Sequence, residues 1–190
     1  MDLLLGIFTA FGLSASAGLN AYIPLLVVGV IAHYTDWITL NNPWDFLANP
    51  WVLIVLGILV IIEMLADKIP AVNHLNDAIQ TFIRPAAGAI AFAASAKVIT
   101  DIHPILALIC GLLVAGSVHA VKSVAVRPVV TATTGGAGNV PDSIAEDIFS
   151  TVVSILAIVI PVMIAIILVL MLVLFILWRQ RRREKANQHI

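Results

Sequence analysis

Charge is scarce in this sequence. Only 11% of its 190 residues are Asp, Glu, Lys or Arg, against about 25% in a soluble domain. With 61% hydrophobic residues and a mean hydropathy of +1.07, that scarcity argues against an ordinary soluble domain and for an integral membrane protein. A basic excess is also lacking. The formal net charge is -1, so no nucleic-acid partner is expected. The one cysteine, Cys110, lies in the apolar run PILALICGLLVAG; an intrachain disulfide is excluded and the thiol reads as packing. There is no Walker spacing, nucleophile elbow or HExxH pair. The histidines His33, His74, His103, His119 and His189 show no metal-ligand spacing. Neither an enzyme nor a cofactor is therefore expected. The N-terminus has no positive stretch, only Met1 and Asp2 before LLLGIF, and reads as a retained first membrane segment rather than a secretory signal.

What is present is a series of apolar runs separated by polar ones. A helix crosses the hydrocarbon with about 20 apolar residues. Residues 3–31 exceed that and are interrupted by SASAGLNAYIP, where Gly18, Asn20 and Pro24 predict a kinked or broken helix. Residues 33–50 are polar, contain no Lys or Arg, and carry Trp37, Trp44 and neighbouring Trp51, the pattern of an outside loop with interfacial aromatics. Residues 51–65 form a short span, and residues 86–98 a small-residue segment suited to close helix approach. ITDIHP is a turn. Residues 104–121 form another span ending at Lys122, and RPVVTATTGGAGNVPDS an irregular loop. At about 1.5 Å per residue, residues 144–178 are too long for one upright span, with Pro161 the expected kink. The tail WRQRRREK places the C-terminus in the cytoplasm. The sequence predicts an all-α polytopic membrane bundle of five or six segments, some broken or re-entrant. Residues 1–178 are one transmembrane domain and 179–190 a basic cytoplasmic tail. A weak internal echo aligns Pro50, Gly57 and Lys68 with Pro104, Gly111 and Lys122, followed by Arg84-Pro85 and Arg127-Pro128. An internal repeat, as in many transporters, and chance in low-complexity sequence both remain open.

A charge at the bilayer centre costs about 2.5–3.5 kcal/mol on insertion scales, so charges inside the apolar region are the candidate functional residues. In AVNHLNDAIQTFIR, helical spacing puts Asn73, Asp77, Thr81 and Arg84 on one face, with Gln80 beside them, and Leu75, Ile79 and Phe82 on the other. This is an amphipathic helix that either lies flat at the interface or lines the bundle with Asp77 and Arg84 inward. Glu63 and Asp67 are spaced i and i+4, where like charges repel; they need a cation, a proton or a basic partner such as Lys68. His119, Lys122 and Arg127 gather near one helix end, and His119 reads first as a packed histidine. In SIAEDIFSTVVS, Glu146 and Asp147 suit a helix start, but Ser143, Asp147, Ser150 and Ser154 continue as a polar stripe inward. TATTGGAGN, residues 131–139, is either a plain connection or a loop offering backbone carbonyls to a cation or N–H groups to an anion. It and GLNAYIP are two broken segments, the kind of pair that points to a membrane transport site.

GLSASAGLNAYIPLL, EMLADKIP, DAIQTFIRPAAGA, and TATTGGAGN followed by EDI together resemble a bacterial membrane family catalogued as domain of unknown function 4126. The resemblance extends from about residue 13 to 161. It carries onto Asp67, Lys68, Pro70, Asp77, Thr81, Arg84, Pro85, Lys122, Thr133, Thr134, Gly135, Gly136, Asn139, Glu146 and Asp147. Asn20 departs from it, standing where relatives often carry Arg, which weakens an anion-binding role there. The resemblance implies a multi-pass protein of the bacterial inner (cytoplasmic) membrane and names no activity.

The functional expectation from the residues is a small membrane transporter or channel for a polar or ionic solute, cation- or proton-linked through its acids. Its site combines residues 67–85 and 122–147: Asp67, Lys68, Asp77, Thr81, Arg84, Lys122, Arg127, Thr133, Thr134, Gly135, Gly136, Asn139, Glu146 and Asp147, with Asn20, Glu63 and His119 secondary. The alternative is a translocase for a phospholipid or polyprenyl phosphate, whose headgroup Arg84, Lys122 and Arg127 would hold. Expected partners are membrane lipids and the solute; a homo-oligomer stays open.

Overall fold

The computed structural model describes residues 2–40, 42–96, 103–159, 167 and 170–171, with 2–5, 70–75 and 96 by backbone alone. Among the described residues every regular element is helical: α1 (Asp2–Leu19), α2 (Tyr22–Tyr34), α3 (Pro50–Ala66), α4 (Pro70–Ala96), α5 (Pro104–Val121), α6 (Arg127–Thr134) and α7 (Asn139–Val159). A 3-10 turn, Trp44–Ala48, precedes α3, and a π segment, Lys122–Val126, joins α5 to α6. The expected kink at Pro161, the continuation to residue 178 and the basic tail lie outside the described residues, as do the side chains of Asn73 and His74.

The break expected after residue 18 falls on Asn20. Its Oδ1 accepts the N–H groups of Tyr22 and Ile23, both at 3.1 Å, satisfying donors that a helix start leaves open. Pro24 then sits in the first turn of α2, where its missing N–H removes no helical bond. α3 and α5 begin alike, with Pro50 and Pro104 in the first turn. The Asn49 and His103 side chains accept the N–H groups of Trp51 at 2.9 Å and Ile105 at 3.3 Å.

Two expected boundaries are corrected. Residues 70–84 and 86–96 are one helix, α4, which runs through Pro85. The segment expected to be irregular from Arg127 is helical through Thr134, and only a tight turn follows. Gly135 and Gly136 hold φ of 62° and 89°, a conformation glycine adopts without a Cβ clash. Gly136 N–H bonds back to the Thr131 carbonyl at 3.1 Å. The turn is thus a glycine C-cap closing on its own helix.

Contacts along α1 fix the helix directions. Ser14 donates to the Gly111 carbonyl at 2.7 Å, and Lys122 to the Leu19 carbonyl at 3.2 Å, so α1 and α5 run parallel. Thr9 meets Ala157, Ser16 meets Ser150 and Ser154, and Asn20 meets Asp147, so α7 is antiparallel to α1. The Phe11 and Phe92 rings meet edge-on, centroids 5.1 Å apart, near where Ser14 meets Gly88; α4 is antiparallel too. The C-terminal ends of α1 and α5 therefore lie at one end of the bundle, and Glu63, near the C-terminal end of α3, joins them there by accepting the Ala21 N–H.

Small residues allow that packing. A Cβ on Gly88 would overlap that of Ala115, and one on Gly18 would lie 2.6 Å from both the Ala115 carbonyl and Val118 Cβ. The core is accordingly rich in alanine. The serine stripe on α7 belongs to it: Ser16 Oγ lies 2.7 Å from both Ser150 Oγ and Ser154 Oγ, a polar seam between α1 and α7. Polarity is inverted relative to a water-facing protein. Ile54, Ile58 and Ile61 of α3, Leu113 of α5 and Phe149 of α7 are exposed, while among the described residues six charged side chains are buried. Among the described residues one continuous helix, Pro104–Thr134, is long and apolar enough to cross a membrane; Gly6–Leu19, Tyr22–Tyr34 and Pro50–Ala66 are apolar but shorter.

Candidate functional site

At the converging end lies a network of nine charged side chains. Arg84 is its most enclosed member, 0% exposed. It sits on the inward face of α4, where the 3.6-residue period places Asp77, Gln80 and Arg84 inward and leaves Ile79 and Phe82 outside. Its Nε and Nη2 donate to Glu63 Oε1 at 3.1 and 2.9 Å, and Nη2 reaches Asp67 Oδ2 at 3.4 Å. Arg84 therefore bridges the two like charges, Glu63 in the last turn of α3 and Asp67 just after it. The expected partner, Lys68, instead extends to Asp147 Oδ2 at 3.1 Å and the Met64 carbonyl at 2.8 Å.

The remaining Arg84 nitrogen, Nη1, lies 3.2 Å from His119 Nδ1. A guanidinium only donates, so Nδ1 accepts and the ring is neutral, with its proton on Nε2. That nitrogen lies 3.2 Å from Thr81 Oγ1, whose hydroxyl donates to the Asp77 carbonyl at 2.8 Å. His119 is thus a packed, oriented histidine.

Asp67 is the hub. Its Oδ2 faces Arg84, Arg127 at 3.3 Å and Lys122 at 3.9 Å, and Asn76 donates to its Oδ1 at 2.6 Å. In the turn after α3, burial alone would push this carboxyl up. Lys122, Arg84, Arg127 and the Asn76 bond outweigh it and hold Asp67 below the usual carboxylate range.

The π segment explains why two cations share one acid. In an α-helix, residues five apart diverge by about 140° in azimuth. Here Arg127 N–H bonds to the Lys122 carbonyl, the i to i+5 pattern of a π turn, which returns Arg127 to the face of Lys122. Lys122 pairs with Glu146 at 2.6 Å. Arg127 pairs with Asp77, and lies 3.7 Å from Glu146. On α7, Glu146 and Asp147 are buried in the network, beyond what capping of the helix start requires.

The network also holds the α1–α2 break. Lys122 donates to the exposed carbonyl end of α1, and Glu63 accepts the Ala21 N–H at the start of α2, 3.1 Å from Oε2. A cation at a helix C-terminus and an anion at an N-terminus each match the helix dipole. Asn20 closes the arrangement, donating to Asp147 Oδ1 at 3.0 Å.

Of the residues expected in the site, Asn20, Glu63, Asp67, Lys68, Asp77, Thr81, Arg84, His119, Lys122, Arg127, Glu146 and Asp147 come together. Thr133, Thr134, Gly135, Gly136 and Asn139 do not join them. Thr133 and Thr134 donate to the Val129 and Val130 carbonyls, Gly138 N–H bonds to Thr134, and Thr131 to Asn139, so the turn satisfies itself. Sequence reasoning missed Asn76 as a ligand of Asp67; its signal was the four-residue step that runs from Asn76 to Gln80 and from Gln80 to Arg84.

The family profile described as domain of unknown function (DUF4126) matches residues 7–181. No curated protein and no solved structure matches the chain.

Proposed function

The chain belongs to the family of domain of unknown function 4126, a description that assigns no activity, and from the charge network we propose a polytopic membrane transporter or channel for a small ionic or polar solute, linked to a cation or proton. The carrying observation is a buried network gripping both ends of a broken helix, Lys122 at the carbonyl end of α1 and Glu63 at the N–H end of α2. Broken helices whose ends meet charges are a recurring basis of substrate and ion sites in transporters. The inverted polarity supports a membrane setting, since buried charges and exposed isoleucines suit lipid better than water. In this reading the lysine- and arginine-free segment 33–50 faces outward, and the network, at the opposite end of α2 and α3, faces the cytoplasm.

The test is flux in proteoliposomes under ion gradients, comparing wild type with Asp147→Asn and Asp77→Asn. Saturable flux lost in both variants, with folding retained, supports the reading; unchanged flux in both removes these roles.

A second reading keeps the amphiphile translocase. Two apolar clefts each reach a network member: one between α2, α3 and α7, lined by Ile23, Val27, Met64 and Ile148, arrives at Asp147. The other, lined by Val118, Val121 and Val126, arrives at Lys122 and Glu146. Tail-in-cleft, headgroup-at-charge binding predicts copurifying phospholipid that is lost in Lys122→Ala.

A further inference from the structure

The ion-paired network contains five carboxylates (Glu63, Asp67, Asp77, Glu146 and Asp147) and four cations (Lys68, Arg84, Lys122 and Arg127). His119 is neutral, so the network carries one surplus negative charge. A buried net charge is costly and is relieved by a proton or by a compensating cation.

The place for that ion is marked by oxygens. Asp77 gives Oδ2 to Arg127, and among the described residues its Oδ1 has no partner. Gln80 is 2% exposed, and its Oε1 also has no partner there. Asp77 and Gln80 are three residues apart on α4 and so adjoin on one face. Gln80 is also four residues from both Asn76 and Arg84, which bind Asp67, so it points into the network. Both orphaned atoms are acceptors. Neighbouring donors on α4 are engaged elsewhere: Arg84 with Glu63, Asp67 and His119; Asn76 with Asp67; Thr81 with the Asp77 carbonyl; Arg127 meets the other Asp77 oxygen, Oδ2.

We propose that Asp77 Oδ1 and Gln80 Oε1, at the edge of the buried network, form a site for one alkali-metal cation, Na+ or K+. A single positive charge cancels the surplus, and oxygen ligands suit a hard cation. A divalent ion would overshoot, and no group of three His, Cys, Asp or Glu able to hold a metal occurs among the described residues. The proposal rests on the transport reading for its purpose, as the linked ion, but binding is measurable without transport.

The experiment uses the full chain in lipid nanodiscs, with N-methylglucamine chloride holding ionic strength constant while NaCl or KCl replaces it. Radiolabelled Na+ binding and the unfolding midpoint are read together. Wild type should bind one cation saturably, with a midpoint that rises with its concentration; the cation that does so distinguishes Na+ from K+. Gln80→Leu should weaken binding by about tenfold or more. Asp77→Asn should abolish it yet stay folded, because the new amide removes the surplus charge and offers a donor to Gln80. Asp142→Asn, outside the ion-paired set, should bind as wild type. No saturable response to either cation, or undiminished binding in Asp77→Asn, overturns the proposal. Binding without flux leaves the site standing and sinks the transport reading; flux without binding does the reverse.

Discussion

Arg84→Met tests whether the buried network supports the fold. The change removes a guanidinium that is fully enclosed and makes four hydrogen bonds, two to Glu63 and one each to Asp67 and His119. Asp67 keeps Arg127 and Lys122 within 3.3 and 3.9 Å. Among the described residues Glu63 keeps one hydrogen-bond donor, the Ala21 N–H, so the loss falls mainly on Glu63. Removing one partner of a buried ion pair costs about 3–5 kcal/mol. For a chain of this size that lowers the melting midpoint by roughly 6–20 °C. The assay is tryptophan-detected melting of the detergent-solubilised protein. The double variant Glu63→Gln, Arg84→Met is the decisive arm. The amide still accepts the Ala21 N–H but carries no charge, so it should recover about 2–3 kcal/mol relative to additive losses. If Arg84→Met melts within about 2 °C of wild type, or Glu63→Gln fails to rescue it, the network is not what holds these helices together.

Other outcomes follow from individual contacts. Lys122→Met should cost about 3–5 kcal/mol and Lys68→Met about 1 kcal/mol or less, because Lys122 is 3% and Lys68 26% exposed at the side chain; paired melts would show it. Gly88→Ala should lose about 1–3 kcal/mol through overlap with Ala115, whereas Gly57→Ala, with nothing within 4 Å of its new Cβ, should be neutral or gain up to about 1 kcal/mol. Ser16→Ala should cost about 0.5–1.5 kcal/mol by opening the α1–α7 seam while leaving flux intact; lost flux in a stably folded Ser16→Ala would put the seam inside the transport site. Gly136→Ala, forced to a φ of 89°, should destabilise by about 1–2 kcal/mol without altering cation binding.

Local signals reached a definite depth. All-helical structure and the break near Asn20 were legible, because apolar run length and the Gly-Asn-Pro cluster act through neighbours in the chain. So was the division of α4 into two faces, since the 3.6-residue period separates Asp77 and Arg84 from Ile79 and Phe82; that the polar face turns inward was decided by packing. The helical state of residues 127–134 was not, since threonine and glycine composition resembled a loop; the π turn and glycine cap that carry the helix to Thr134 are set by backbone bonding.

Sequence by itself determined which charges had to be sheltered: acids and bases this deep in apolar runs need partners wherever they fold. Only the tertiary structure decided the pairing. Glu63 and Asp67 take Arg84 rather than adjacent Lys68, because Lys68 at the helix end is directed toward Asp147 on α7 while α4 carries Arg84 into the gap between the two acids. Asp67 meets Lys122 and Arg127 together because the π segment realigns them. Coulomb attraction depends on distance in space, and residues far apart in the chain become neighbours only after the helices have packed.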